Sequence, residues 1–161
     1  MDDPYYTLET LCPRISLGYL MKRVQRLARP QFEAAFGDGE FTFTQWIAMG
    51  LLHSGVADTA SGIARDIGHD TGAMTRVIDQ LAQRGVVERH PDPSDRRVVK
   101  LTMTGDGAAA LMRLTPRVID IWNIVLEDFP RADVDRFVDM LGAMEKKLIA
   151  MESARGAGVN A

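Results

Sequence analysis

The sequence predicts a mainly α-helical fold with a small β wing, an α+β arrangement, and three observations carry that prediction. Apolar residues recur at helical spacing through most of the chain. Two short helical patterns are joined by the tight link Gly68-His69-Asp70. Two strand-like runs, 86–89 and 98–103, then flank a loop that holds Pro91 and Pro93 and ends on arginines. Taken together, residues 59–107 read as a winged helix-turn-helix.

Residues 1–12 read as a loose lead-in. Pro13 suits the first turn of a helix, and Ile15, Leu20, Met21, Val24, Leu27 and Ala28 then form a long apolar face. Lys22, Arg23, Arg26 and Arg29 make the other side basic. Pro30 is expected to kink or break this helix, because its ring removes a hydrogen bond and crowds the previous turn. Phe32 and Phe36 continue the apolar contact, and Gly37-Asp38-Gly39 ends the segment. Residues 41–57 contain no Asp, Glu, Lys or Arg. Thr42 or Thr44 can cap a helix over 45–53. That helix is apolar nearly all round and is expected to be buried.

The next helix, over 60–67, turns Ala60, Ile63, Ala64 and Ile67 inward. The key helix covers 71–84. Met74, Val77, Ile78, Leu81 and Ala82 face the core, with Thr75, Arg76, Asp79, Gln80 and Gln83 largely opposite. Asp70 or Thr71 can cap its first turn, and Gly85 stops it by permitting a left-handed backbone. Such a rod, with short polar side chains at its front end, suits a major groove; a plain helical hairpin is the structural alternative. In the loop over 90–97, Asp95 stands two residues before Arg97 and is expected to accept from its guanidinium. A wing entering a minor groove needs an arginine held in one pose. The plainer reading is a hairpin tip with an ordinary surface ion pair.

Gly105-Asp106-Gly107 interrupts the strand and starts a helix carrying Leu111, Leu114, Val118, Ile121, Trp122, Val125 and Phe129. Pro116 lies inside that pattern, so a kink or a restart near Thr115 is expected. Phe129-Pro130 breaks the chain before a last helix whose stripe runs from Val134 through Phe137, Val138, Leu141, Met144 and Leu148 to Met151. Residues 153–161 read as frayed. The apolar surface of these helices and of 15–28 exceeds what so small a chain needs. Burial in a partner explains it, with a single-chain helical core as the alternative.

Composition sets limits. The chain has 161 residues and a formal net charge of −3, a mild argument against nucleic acid. Residues 58–104 hold seven basic and seven acidic side chains and are neutral. Phosphate binding would therefore require Arg65, Arg76, Arg84, Arg96, Arg97 and Lys100 to gather on one face. No run approaches a membrane span, and the acidic start Met1-Asp2-Asp3-Pro4-Tyr5 lacks a signal-peptide pattern, so a cytoplasmic protein is expected. The single Cys12 forms no internal disulfide and no metal cluster, and no cofactor is implied. His53, His69 and His90 show no nucleophile or metal spacing, and neither HExxH nor a phosphate-binding glycine loop is present. An enzyme is not expected.

The segments Ile63-Ala64, Thr75 to Leu81, Arg84 to Arg89, Pro93 to Arg97 and Met103 to Gly107 resemble the helix, wing and post-wing signature of the MarR family of bacterial transcription regulators. Thr44-Gln45-Trp46 is similar to the preceding helix of that family. The resemblance in motif covers about residues 42–107. Gly72 and Ala73 depart from it, standing where bulkier or more polar residues are common, and Met103 stands where leucine is usual. The resemblance implies a homodimer built from interlocking first and last helices. Residues 10–37 and 105–152 would form the dimerisation region, and 42–104 the DNA-binding domain. It implies recognition helices in successive major grooves of a pseudo-palindromic operator in double-stranded DNA, with wings in the flanking minor grooves. On that basis Arg65, His69, Thr71, Thr75, Arg76, Gln80, Arg84, Asp95, Arg96, Arg97 and Lys100 are the expected DNA-binding residues, His69 having the alternative of a solvated turn.

Many members of the family are repressors released by a small aromatic or phenolic ligand. Arg14, Tyr19, Trp46, His53 and Arg65 are candidate lining residues here, since aromatic walls with a cationic or imidazole donor suit an aromatic carboxylate or phenol. Trp46 has plain core as its alternative and His53 a satisfied helix end. Other members sense oxidants through a cysteine near the N-terminus, and Cys12, ahead of a helix expected at Pro13, is the candidate; an inert cysteine is the alternative. A winged-helix protein-interaction module without DNA readout remains the reading from another class, favoured by the neutral local charge and Gly72.

Overall fold

A computed structural model of the chain describes residues 4–95 and 97–159, the side chains of 156–159 excepted. Its elements are α1 (Leu17–Ala35), α2 (Phe43–His53), α3 (Ala60–Asp66), α4 (Thr71–Gln83), β1 (Val87–Pro91), β2 (Val99–Met103), α5 (Gly105–Leu126) and α6 (Arg131–Val159). They divide into two compact units, one ending at Ile121 and the other beginning at Trp122. The fold is mainly helical with one antiparallel hairpin, as the sequence predicts.

The core of the first unit forms where the apolar spacing places it. Met49 of α2, Ile63 of α3, Met74, Ile78 and Leu81 of α4 and Leu114 of α5 are wholly buried. Burial of such side chains contributes about 1.5–3 kcal/mol each. An aromatic column joins α1 to α2: Phe32 stacks on Phe43 at 4.7 Å, and Phe43 stacks on Trp46 at 5.7 Å. Trp46 donates its Nε1–H to Thr115 of α5 at 3.3 Å.

Several boundaries differ from expectation. α1 starts at Leu17 rather than near Pro13, because Cys12–Ile15 closes a separate turn in which Ile15 and Ser16 donate to the Cys12 carbonyl. Ser16 is the N-cap, and the Tyr6 hydroxyl accepts from the Leu17 N–H at 2.8 Å. Pro30 lies inside α1 without ending it. One backbone bond is lost there, and burial of Phe32 and Phe36 just beyond it offsets the cost. Pro116 likewise sits within a continuous α5. α6 runs through Val159, past the expected fraying at 153. Extending an existing helix adds one hydrogen bond per residue fixed, and the Ser153 hydroxyl bonds back to the Ile149 carbonyl. Pro91 is accepted at the end of β1, where it pairs with Val99, because each strand of a two-stranded ribbon has an open edge.

The turn between α1 and α2 is held from α5. Arg113 pairs with Glu40, and Arg117 with Asp38 at 2.7 Å. Arg117 also donates to the Ala35 carbonyl at 3.2 Å and lies over the Phe36 ring. The Arg117 hydrogen bond, with the Glu40 N–H second, holds the Asp38 carboxyl below the usual carboxylate range. A depressed folded-state pKa stabilises above the unfolded value near 4, and that stability is lost as pH falls through the folded pKa. Arg117→Met is therefore expected to melt below wild type at pH 7, by a margin that narrows at pH 3. Thermal melts of both proteins at the two pH values check this; a margin independent of pH would leave only the Ala35 and Phe36 contacts as the source.

Candidate nucleic-acid interface

α3, α4 and the hairpin form one contiguous structure. Asp70 is the N-cap of α4, its carboxylate accepting from the Ala73 N–H at 2.8 Å. Of the two caps open in the sequence, Asp70 serves. Gly68 and Gly85 take positive φ, 64° and 71°, and bound the helix with turns that side chains rarely allow. Thr71, Thr75 and Arg76 are exposed on α4; Arg76 stands opposite the buried Met74, Ile78 and Leu81, and Thr71 and Thr75 flank that face at the front of the helix. The Thr75 hydroxyl donates to the Thr71 carbonyl at 2.9 Å, leaving its lone pairs outward.

The hairpin pairs Val87 with Met103 through Pro91 with Val99. It is anchored at three places. Arg89 of β1 pairs with Asp79 of α4 at 2.6 Å. Lys100 pairs with Asp58, and the Leu101 N–H donates to the Asp58 carbonyl at 2.8 Å. The Thr104 hydroxyl donates to the Gly85 carbonyl and accepts from the Gly107 N–H. At the tip, the Asp92 carboxylate accepts from the Ser94 hydroxyl and the N–H groups of Ser94 and Asp95. These bonds hold its pKa low, the Ser94 hydroxyl first among them.

The predicted DNA-binding residues fall into groups. Thr71, Thr75, Arg76 and Arg97 are exposed on α4 and the wing, and Arg65 is exposed on α3. His69 is half-buried in the turn before α4 and borders a groove of about 460 Å³ with Phe36, Thr42, Ala73 and Val77. Three others are turned to partners within the chain. Gln80 accepts from Gln45 of α2, the Arg84 guanidinium lies 4.8 Å over the Phe41 ring, and Lys100 is paired with Asp58. Asp95 accepts from the main-chain N–H of Arg97 at 2.9 Å rather than from its guanidinium. An Asx turn two residues long satisfies the carboxylate locally, so the tip is shaped by backbone bonds. Arg96 lies outside the described residues.

The candidate effector residues lie on or beside different helices. Arg14 and Tyr19 are exposed near the start of α1, His53 at the end of α2 and Arg65 on α3, while Trp46 belongs to the aromatic column. Cys12 is exposed and borders a hollow with Leu11, Pro13, Ser16 and Tyr19. It lies in the turn that precedes α1 rather than at the start of the helix. The sequence missed the Gln45–Gln80 bond and the Arg89–Asp79, Lys100–Asp58 and α5 arginine pairs. They join residues distant in the chain, and no spacing rule reaches them.

The MarR family model matches residues 41–99. A MarR family protein from Mycobacterium tuberculosis, solved in complex with p-aminosalicylic acid, is 26% identical, with 80% of this chain and 98% of that chain covered at a TM-score of 0.68. Wild-type MarR from E. coli in its apo form is 24% identical over 81% of this chain and 96% of that chain, at a TM-score of 0.68. CouR from Rhodococcus jostii RHA1, bound to p-coumaroyl-CoA, is 23% identical over 84% and 95% respectively, at a TM-score of 0.67. No described helix is long and apolar enough to cross a membrane.

Proposed function

We infer from a chain that is a MarR-family homologue through its winged helix-turn-helix, and so a non-catalytic transcription regulator, that it acts as a homodimeric repressor on a pseudo-palindromic operator. The observation that carries this reading is the exposed front of α4. Its first turn is capped by Asp70, its inner face is buried, and Thr71, Thr75 and Arg76 are left outward beside an anchored hairpin. A helix so fixed can enter a major groove, and the hairpin tip with Arg97 can reach the minor groove beside it. Arg65 and Arg76 supply phosphate or base contacts.

The neutral charge of residues 58–104 sets the kind of binding. Few phosphates are neutralised, so salt dependence is moderate and discrimination rests on α4. Arg97→Ala is expected to weaken binding to a selected duplex about tenfold and reduce the salt slope by about 1. Its melting temperature should stay at the wild-type value. Gel shifts paired with thermal melts check this, and full affinity in the variant would remove the wing from the interface.

Release by a small aromatic ligand is the regulatory part of the proposal. Two similar proteins carry aromatic ligands in their structures, p-aminosalicylic acid in one and p-coumaroyl-CoA in the other, and a ligand shifts a repressor only by binding one of its states better. Arg14, Tyr19, Trp46, His53 and Arg65 remain the residues proposed to line that site, and Cys12 the residue proposed for oxidant sensing if that mode operates instead. Gel shifts with p-aminosalicylate, and with peroxide on wild type and Cys12→Ser, separate the two modes. Peroxide release that persists in the serine variant excludes the cysteine.

A further inference from the structure

Gln45 is the buried polar side chain of the described core, at 3% exposure. Around it α2 and α4 meet through apolar groups: Ala48 and Met49 on one side, Met74, Ile78 and Leu81 on the other, all buried. Apolar contact is non-directional. The Arg89–Asp79 pair ties α4 to β1, and between α4 and α2 the bond from Gln45 to Gln80 adds a directional contact to the apolar one. A hydrogen bond is directional in both length and angle.

The Gln45 amide is aimed before it meets α4. Its Oε1 accepts from the Thr42 N–H at 2.9 Å, and the Gln45 main-chain N–H donates to the Thr42 hydroxyl at 3.1 Å, which closes the capping box of α2. With Oε1 pinned, Nε2 points at α4, where it donates to Gln80 Oε1 at 2.9 Å. Gln80 itself is exposed, so this contact is not needed to keep it satisfied. Helix tips sit at about 6 Å from the axis. A roll of about 20° moves such a tip by about 2 Å, more than a base-edge hydrogen bond tolerates.

We propose that Gln45 is a positioning residue for DNA reading: through Gln80 it sets the roll of α4 and so the discrimination between operator and random DNA. The proposal rests on the DNA-reading function argued above. It moves Gln80 from a residue that reads DNA to one that aligns the helix.

The test uses the full-length protein, a duplex selected from random DNA and a scrambled duplex. Gln80→Met removes the acceptor at an exposed position, and Gln80→Glu keeps an acceptor for Gln45. In Gln80→Met the ratio of selected to scrambled affinity is expected to fall about tenfold. Affinity for the scrambled duplex should stay at the wild-type value, while the melting temperature falls by a few degrees because the buried Gln45 Nε2 loses its acceptor. In Gln80→Glu both affinities fall together through the added charge and the ratio is kept. A wild-type ratio in Gln80→Met overturns the proposal. So does an equal loss of the ratio in both variants, which would make Gln80 a direct reader. Wild-type protein that fails to distinguish the duplexes overturns the DNA-reading function itself, and that outcome is seen without either variant.

Discussion

Gly107→Ala is expected to lose about 3 kcal/mol of stability, with a melting temperature lower by about 6–12 degrees. A Cβ at this position would stand 2.2 Å from the Val86 carbonyl oxygen and 2.7 Å from the Met103 side chain. The first neighbour is backbone and cannot step aside. Its surroundings cannot shift as a unit either. The Thr104 N–H bonds to that same Val86 carbonyl, while the Thr104 hydroxyl joins Gly85 to Gly107. The joint thus ties the end of α4, the base of the wing and the first turn of α5. Gly105→Ala, two residues earlier with nothing within 4 Å, is the control and should stay within about 0.5 kcal/mol of wild type. Chemical denaturation of both variants checks the pair. Equal stabilities would mean that α5 does not approach the wing so closely.

Val24→Glu is expected to yield a monomer at micromolar concentration and to weaken operator binding more than a hundredfold. On α1, Leu17, Leu20, Met21, Val24 and Leu27 lie along one face, Val24 at 52% and Leu27 at 54% exposure. In the second unit Phe137, Val138, Leu148 and Met151 are also at least half exposed. A monomer seldom leaves apolar stripes of that length in water, which supports a second copy as their cover. Two linked half-site contacts gain about 10²–10⁴ in apparent affinity over one, and loss of the pair forfeits that gain. Because Val24 is exposed, the variant should still fold as a chain. Sedimentation, a thermal melt and a gel shift on the same sample check the three parts. A folded Val24→Glu dimer with wild-type affinity would exclude this face from the interface.

What could be read from the sequence follows from the range over which each force acts. α2, α3 and α4 were legible because helical periodicity and caps are local: Thr42 and Asp70 each close a first turn within three residues, and Thr59, which periodicity alone did not single out, does the same for α3. The hairpin was legible because its strands are adjacent in the chain. Pro30, Pro116 and the polar end from 153 differ from expectation, since local propensity counts for less than the burial of Phe32 and Phe36 or the extension of a helix already formed. At the candidate interface, exposure of Thr75 and Arg76 followed from periodicity. The contacts of Gln80, Arg84 and Lys100 within the chain did not, because Gln45, Phe41 and Asp58 are brought to them only by the fold. Asp95 was assigned the right neighbour and the wrong atom: it binds the Arg97 backbone.

The central claim is that two copies of this chain lay α4 and the wing into adjoining grooves of one sequence. The most direct measurement is fluorescence anisotropy of the intact protein with a duplex selected from random DNA and a scrambled duplex, from about 50 to 200 mM salt. The account predicts binding to the selected duplex at least about 10³-fold tighter than to the scrambled one, two chains per duplex, and affinity that falls with salt. Equal affinity for the two duplexes across that salt range would contradict it.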